Sequence, residues 1–239
     1  MIKDELVQRS PIRIFEQSIN GGLKAGEIGV IASVSGVGKT SVLVQLALDK
    51  LLQAKKVIHV SFPQHTHYVL AWYEDIFEEF ISRKNLENAG EVKNEIVKNR
   101  VLMSFNQDGM SNDQVIRSLS AMIVDGGFAA EALIIDGFDF SRTNRECIAN
   151  VRAFAAQMGL SVWYSCNVKS DSGQGNSQYD KQNIPLVLKD IADIIDVVIV
   201  LEPRPDHVEL SVSKEPSTSP QPRARTIRLD PKTLLLLEA

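Results

Sequence analysis

Ile28-Gly-Val-Ile-Ala32 runs directly into Ser33-Val-Ser-Gly-Val-Gly-Lys-Thr40, and a long apolar stretch follows to Ala54. The first run is short, apolar and continuous, the pattern of a strand covered on both faces. From Thr40 to Ala54 the chain is mostly apolar, with a stripe of Gln45, Asp49 and Gln53 spaced four apart, which predicts a largely buried helix. Between strand and helix lies a loop with glycines at 36 and 38. Glycine lets backbone N–H groups turn inward and approach an anion closely, and a helix N-terminus adds a favourable dipole. The stretch fits the phosphate-loop pattern G-x-x-x-x-G-K-[ST] everywhere except its first position, where Ser33 stands. Ser33, Val34, Ser35, Gly36, Val37, Gly38, Lys39, Thr40 and Ser41 are therefore the candidate nucleotide-binding residues. Lys39 is suited to the β- and γ-phosphates, Thr40 to Mg²⁺, and Ser41 to the adenosine side.

Working outward, strand-like runs recur at Val57–Phe62, Val101–Phe105, Leu133–Asp136, Ser161–Ser165 and Val197–Leu201, with helical patterns between them. Tyr68–Lys84 carries Val69, Tyr73, Ile76 and Phe80 on one face, and Ser111-Asn-Asp-Gln114 reads as a capping box opening a helix to Val124. Alternating strands and helices predict an α/β fold with a mostly parallel central sheet flanked by helices. Past Leu201 the pattern changes. Pro203-Arg-Pro-Asp206 is a turn, His207–Ser213 alternates, and Arg225–Leu229 and Leu234–Leu237 read as further strands. The expectation is one domain over 1–239, with a lead-in segment 1–26 and an antiparallel C-terminal hairpin extension over 203–239. The run Leu234–Leu237 has to be covered by the sheet or by a neighbouring subunit.

Composition excludes several classes. The chain has 239 residues, 44% hydrophobic and 23% charged, which is ordinary for a globular protein and rules out intrinsic disorder. No apolar run approaches the roughly 18 residues of a transmembrane helix, and Met1–Ser10 has no secretory apolar core. Two cysteines make no disulfide framework, so a cytoplasmic protein without membrane contact is expected. The net charge of −4 counts against a protein devoted to neutralising nucleic-acid backbones. His65 and His67 read as surface residues rather than metal ligands, Trp72, Tyr73, Phe77 and Phe80 as core, and Cys166 as a buried apolar residue.

A carboxylate is needed beside Thr40 to hold a Mg²⁺ shell, and Asp136 ends an apolar run at the edge of a strand where ligands of open α/β sheets bind. With Asn20-Gly-Gly-Leu-Lys-Ala-Gly-Glu27, the phosphate loop, Asp136, Val162–Asn167 and Ile191–Glu202 in place, the chain resembles the RecA superfamily of P-loop ATPases, in its KaiC-like and RadA-like single-domain branch. The resemblance runs from about Ile12 to Leu237. It implies a RecA-like fold, ATP and Mg²⁺ as ligands, metal binding by Thr40 and Asp136, and a homo-oligomer or a protein partner.

The resemblance also implies residues that this chain lacks. The family's catalytic Glu falls at Pro63 or Gln64. Gln64 can orient a water but is no carboxylate base, and Asp139 is the nearest spare carboxylate. Asn167 takes the place of the residue that senses the γ-phosphate, and Lys214 that of a lysine reaching a neighbour's phosphate. The Arg expected after it is Pro216, with Arg223 and Arg225 as substitutes. The polar segment Lys169–Asn183 lies where recombinases touch single-stranded DNA, yet it offers only Lys169, Lys181 and Tyr179. Three readings stand: an Mg-ATP switch with weak or partner-dependent hydrolysis, a DNA-directed repair ATPase, and a non-catalytic module stabilised by nucleotide.

Overall fold

The computed structural model describes residues 12–19, 21–62, 65–84, 90–169, 178–215 and 227–238. Six strands, β1 (Ile28–Ser33), β2 (Lys56–Ser61), β3 (Arg100–Ser104), β4 (Ala130–Asp136), β5 (Ser161–Asn167) and β6 (Val197–Pro203), form the parallel part of the sheet. Antiparallel β7 (Val208–Lys214), β8 (Ile227–Leu229) and β9 (Leu236–Glu238) extend it. The spatial order is β3-β2-β4-β5-β1-β6-β7-β8-β9. The α/β class, the mostly parallel sheet and the antiparallel C-terminal hairpin all agree with the hydrophobic pattern.

β1 is buried along its whole length, and alternate residues feed two separate cores. On one face lie α1 (Ile12–Ser18), α2 (Lys39–Leu52), α3 (Thr66–Lys84) and α4 (Gly90–Lys98). On the other lie α5 (Asn112–Ser120) and α6 (Arg145–Met158). The capping box at Ser111 and Gln114 is formed, but α5 ends at Ser120 and a single wider turn, Ala121–Asp125, completes the segment. The short helix α4 carries only Val92 and Ile96 inward, too few apolar positions to stand out in the sequence. No helix among the described residues is long and apolar enough to cross a membrane.

The polar stripe of α2 turns inward. Gln45 and Asp49 are 3% and 1% exposed, as buried as the leucines around them. Gln45 Nε2 donates to Leu234 O at 2.9 Å, and its Oε1 accepts from Leu236 N at 2.8 Å. Asp49 meets Arg13 of α1 and Gln53. The run Leu234–Leu237 is thereby covered within the chain, with Leu235 and Leu236 fully buried against the same face as α2. Leu234 itself takes a left-handed backbone, φ 57°, to turn into β9.

His59, in the middle of β2, is 1% exposed, with Nδ1 3.0 Å from the Tyr73 hydroxyl of α3. Arg100 stacks on the Tyr73 ring at 4.2 Å. Burial drives the imidazole pKa down to about 4, against a pull upward from Asp136, and Arg100 pushes the same way as burial.

Two outcomes follow from these buried polar groups. Gln45→Leu leaves the Leu236 N–H without its acceptor and lowers stability by about 1–3 kcal/mol in denaturant unfolding, with loss of amide-exchange protection at Leu236. His59 is neutral in the folded chain down to about pH 4, whereas the unfolded imidazole protonates near 6.5, so stability falls as pH drops through that window. His59→Gln flattens the acid limb of the stability curve between pH 6.5 and 4, a span of roughly 3 kcal/mol in the native chain.

Candidate functional site

The loops that follow β1, β2, β4 and β5 all emerge at the C-terminal edge of the sheet, where open parallel sheets place their ligands. They enclose a cavity of about 510 Å³ lined by Ser35, Gly36, Gly38, Lys39, Thr40, Phe62, Trp72, Asp136, Gly137, Ser165, Asn167 and Leu234. Nine of the candidate residues fall on the loop and first helical turn between β1 and α2.

Gly36 has φ +81° and open space where a Cβ would stand. Gly38, φ +117°, immediately precedes α2, and a Cβ there would meet the Leu229 side chain at 2.5 Å. Ser33 is absent from the left-handed residues, so its position has no need of glycine. Its hydroxyl donates to Val34 O at 2.9 Å and accepts from Lys39 Nζ at 3.2 Å. Lys39 also donates to Ser33 O at 3.2 Å and Val34 O at 2.9 Å. The ammonium thus lies over the loop's own oxygens. Burial pulls its pKa below the ordinary value, an effect that Asp136 partly offsets. Val37 packs against the first core, Val34 is half-buried, and Ser35 is exposed.

Thr40 Oγ1 donates to Asp136 Oδ2 at 2.8 Å. The other carboxylate oxygen, Oδ1, accepts from Ser165 Oγ at 2.5 Å, and Ser165 Oγ accepts from Gly137 N at 2.7 Å. Asp136 is 5% exposed and is fixed from the backbone side as well, because Phe62 N donates to its carbonyl at 2.7 Å. Gly137 has φ +78°, and a Cβ there would lie 1.7 Å from Phe62 O. Among the described residues there is no group of three or more His, Cys, Asp or Glu placed to hold a metal. A hydroxyl and one carboxylate are nevertheless a fitting donor set for Mg²⁺, which commonly takes one or two protein oxygens and completes its shell with phosphate and water. Donation to Asp136 uses the Thr40 proton and leaves its lone pairs available.

The other candidates are placed elsewhere. Asp139 is exposed and accepts from Ser141 N and Oγ at 3.0 and 2.7 Å, capping the turn Phe140–Arg142. It lines a neighbouring cleft of about 590 Å³, not the phosphate-loop cavity. Asn167 lines both. Lys214 Nζ donates to Ala192 O and Ile195 O, the carbonyls that end the 3-10 segment Leu186–Ile194. Ser41 Oγ donates to Leu234 O at 2.5 Å, so it faces the C-terminal turn and not the cavity. Gln64, Arg223 and Arg225 lie outside the described residues, as do Asn20 and residues 170–177. Lys169 and Lys181 are exposed, and Tyr179 packs on the second core. His65 and His67 are exposed at the start of α3 with ring centroids 5.8 Å apart. Cys166 is buried and its thiol is pushed up to about 12 by burial.

Five cavity residues escape the sequence reading: Phe62, Trp72, Gly137, Ser165 and Leu234. Trp72 carried a signal, since it is one position off the buried stripe of Val69, Tyr73, Ile76 and Phe80, and it is half-exposed where the sequence reading put it in the core. Leu234 and Ser165 are brought in only by tertiary pairing. No protein-family model matches the chain, and no curated protein matches it.

Gly137→Ala forces a Cβ into the Phe62 carbonyl as well as an unfavourable φ, so a loss of at least about 3 kcal/mol in thermal or denaturant unfolding is expected.

Proposed function

We propose that the cavity binds a Mg²⁺–nucleoside triphosphate, ATP by the resemblance to RecA-like and KaiC-like proteins, and that the chain serves as a nucleotide-dependent switch or assembly protein. The observation that carries this reading is the Thr40–Asp136 hydrogen bond, which joins the phosphate loop to a strand-end carboxylate 96 residues away. A chance glycine-rich turn has no reason to meet a buried acid at that point.

In this reading Gly36 and Gly38 present backbone N–H groups to the phosphates, and Lys39 exchanges the carbonyls of Ser33 and Val34 for phosphate oxygens. A bound polyanion favours the charged form of the ammonium, which burial opposes. Thr40 and Asp136 would hold Mg²⁺, which when bound neutralises phosphate charge. Trp72 and Leu234 give the cavity apolar surface against which a base can lie.

Weak hydrolysis follows from the same side chains. Asp136 is the sole carboxylate among the described residues lining the cavity, and both its oxygens are engaged. Asn167 can hydrogen-bond a phosphate oxygen but cannot accept a proton as a base. The neighbouring cleft shares Gly137 and Asn167 with the cavity, which supports a role in which a partner reads the nucleotide. Among the described residues Lys169 is the one basic residue lining that cleft, a thin electrostatic footing for DNA.

Calorimetry with Mg-ATP tests the reading: the native chain binds, and Lys39→Ala weakens binding at least ~10-fold, the loss of one charge-assisted phosphate contact. In single-turnover assays without a partner, the native chain turns over little faster than the Lys39→Ala blank. Unchanged affinity in Lys39→Ala would remove the nucleotide assignment.

A further inference from the structure

Three adjacent strands bring polar side chains into one buried row at the rim of the cavity. Ser61 of β2 is paired with Asp136 of β4, and Ile135 of β4 is paired with Tyr164 of β5, so Asp136 and Ser165 are also neighbours. All three are nearly inaccessible, at 1%, 5% and 2% exposed for Ser61, Asp136 and Ser165. The two serines differ in what they do. Ser165 lines the cavity and grips the carboxylate, donating to Oδ1 at 2.5 Å while accepting from Gly137 N at 2.7 Å. Ser61 Oγ has no hydrogen-bond partner among the described residues and does not line the cavity.

We propose that Ser165 is the positioning residue of the metal site: it fixes the rotation of the Asp136 carboxylate so that Oδ2 stays on the Thr40 side, and thereby sets how strongly Mg²⁺ tightens nucleotide binding. The inference rests on the nucleotide reading of this cavity. With Thr40 on one oxygen and Ser165 on the other, the plane of the carboxylate is held at both ends. Without Ser165 only the Thr40 bond remains, the carboxylate can twist about its Cβ–Cγ bond, and the geometry demanded by a small, rigidly octahedral cation is lost part of the time. The hydroxyl also ties the carboxylate to Gly137 N, the first amide of the loop that separates the cavity from the neighbouring cleft. Serine is suited to this double task because its hydroxyl donates one bond and accepts others at the same atom.

The experiment measures the ATP dissociation constant by calorimetry in EDTA and in excess MgCl₂, and takes their ratio as the Mg²⁺ effect. Ser165→Ala is expected to cut that ratio roughly 10-fold, with the EDTA affinity within about twofold of the native chain, as other losses of a hydrogen-bond partner behind a metal ligand do. Ser165→Thr keeps a hydroxyl and restores most of the ratio. Ser61→Ala is the control of equal burial in the same row; it leaves the ratio unchanged and does not lower the melting temperature, because it deletes an unpartnered hydroxyl. If Ser165→Ala fails to fold, Ser165→Cys, with a weaker S–H donor of similar size, carries the test, and a reduced ratio is again the expected result. A native ratio in folded Ser165→Ala or Ser165→Cys, or an equal loss in Ser61→Ala, overturns the inference alone. No ATP binding by the native chain in either buffer overturns the nucleotide reading and this inference with it.

Discussion

The Asp136 carboxylate stands where everything else in the site converges. It ends β4, accepts a hydrogen bond from the helix that follows β1, and accepts another from β5. Its carbonyl is bound by the backbone that leaves β2. A buried acid is costly unless hydrogen-bonded, and here its donors come from pieces of chain far apart in sequence. The partners that satisfy the carboxylate therefore also align the strand ends. Gly137 shows how little slack remains, since the turn passes so close to Phe62 that no side chain fits.

A second constraint ties the far side of the sheet to the same loop. Gln45 and Ser41, both on α2, hold the Leu234 carbonyl, and Gln45 also holds the Leu236 amide. Leu229 lies against Gly38. The antiparallel hairpin is consequently part of the cavity wall through Leu234, and the left-handed backbone of that residue is kept in place by the pair of side chains on α2. An isolated β8–β9 hairpin would be marginal at best, so its order derives from this grip and from the sheet.

The frame of the fold was legible because its strands are continuous apolar runs and its longest helices have clean periodicity. The glycine loop at 33–40 stood out because its motif has a fixed local spacing, and Asp136 because an acid closing an apolar run is conspicuous. What stayed hidden depends on pairing across the chain. Gln45 and Asp49 look like a solvated stripe until the hairpin and α1 are seen to cover them. Ser165 resembles any strand serine until its register beside Asp136 is known. Trp72 was read as core with Tyr73, Phe77 and Phe80 on helical spacing; it packs on the edge of that core and also lines the cavity. Lys214 was read for a neighbouring subunit's phosphate, and within the chain it donates to two nearby carbonyls, a contact that spacing does not encode.

The placement of β1 has a further consequence, for the order in which the molecule can be made. Residues 28–33 emerge well before their neighbours in the sheet, residues 161–167 and 197–203. The strand that precedes the glycine loop, apolar on both faces, has no partner in the sheet until residues 161–167 have left the ribosome. Pairing at such separation closes a long loop and is slow, and an unpaired apolar strand is open to association with other chains meanwhile. Rapid translation at high expression would expose that strand on many molecules at once, which favours association between chains over pairing within one.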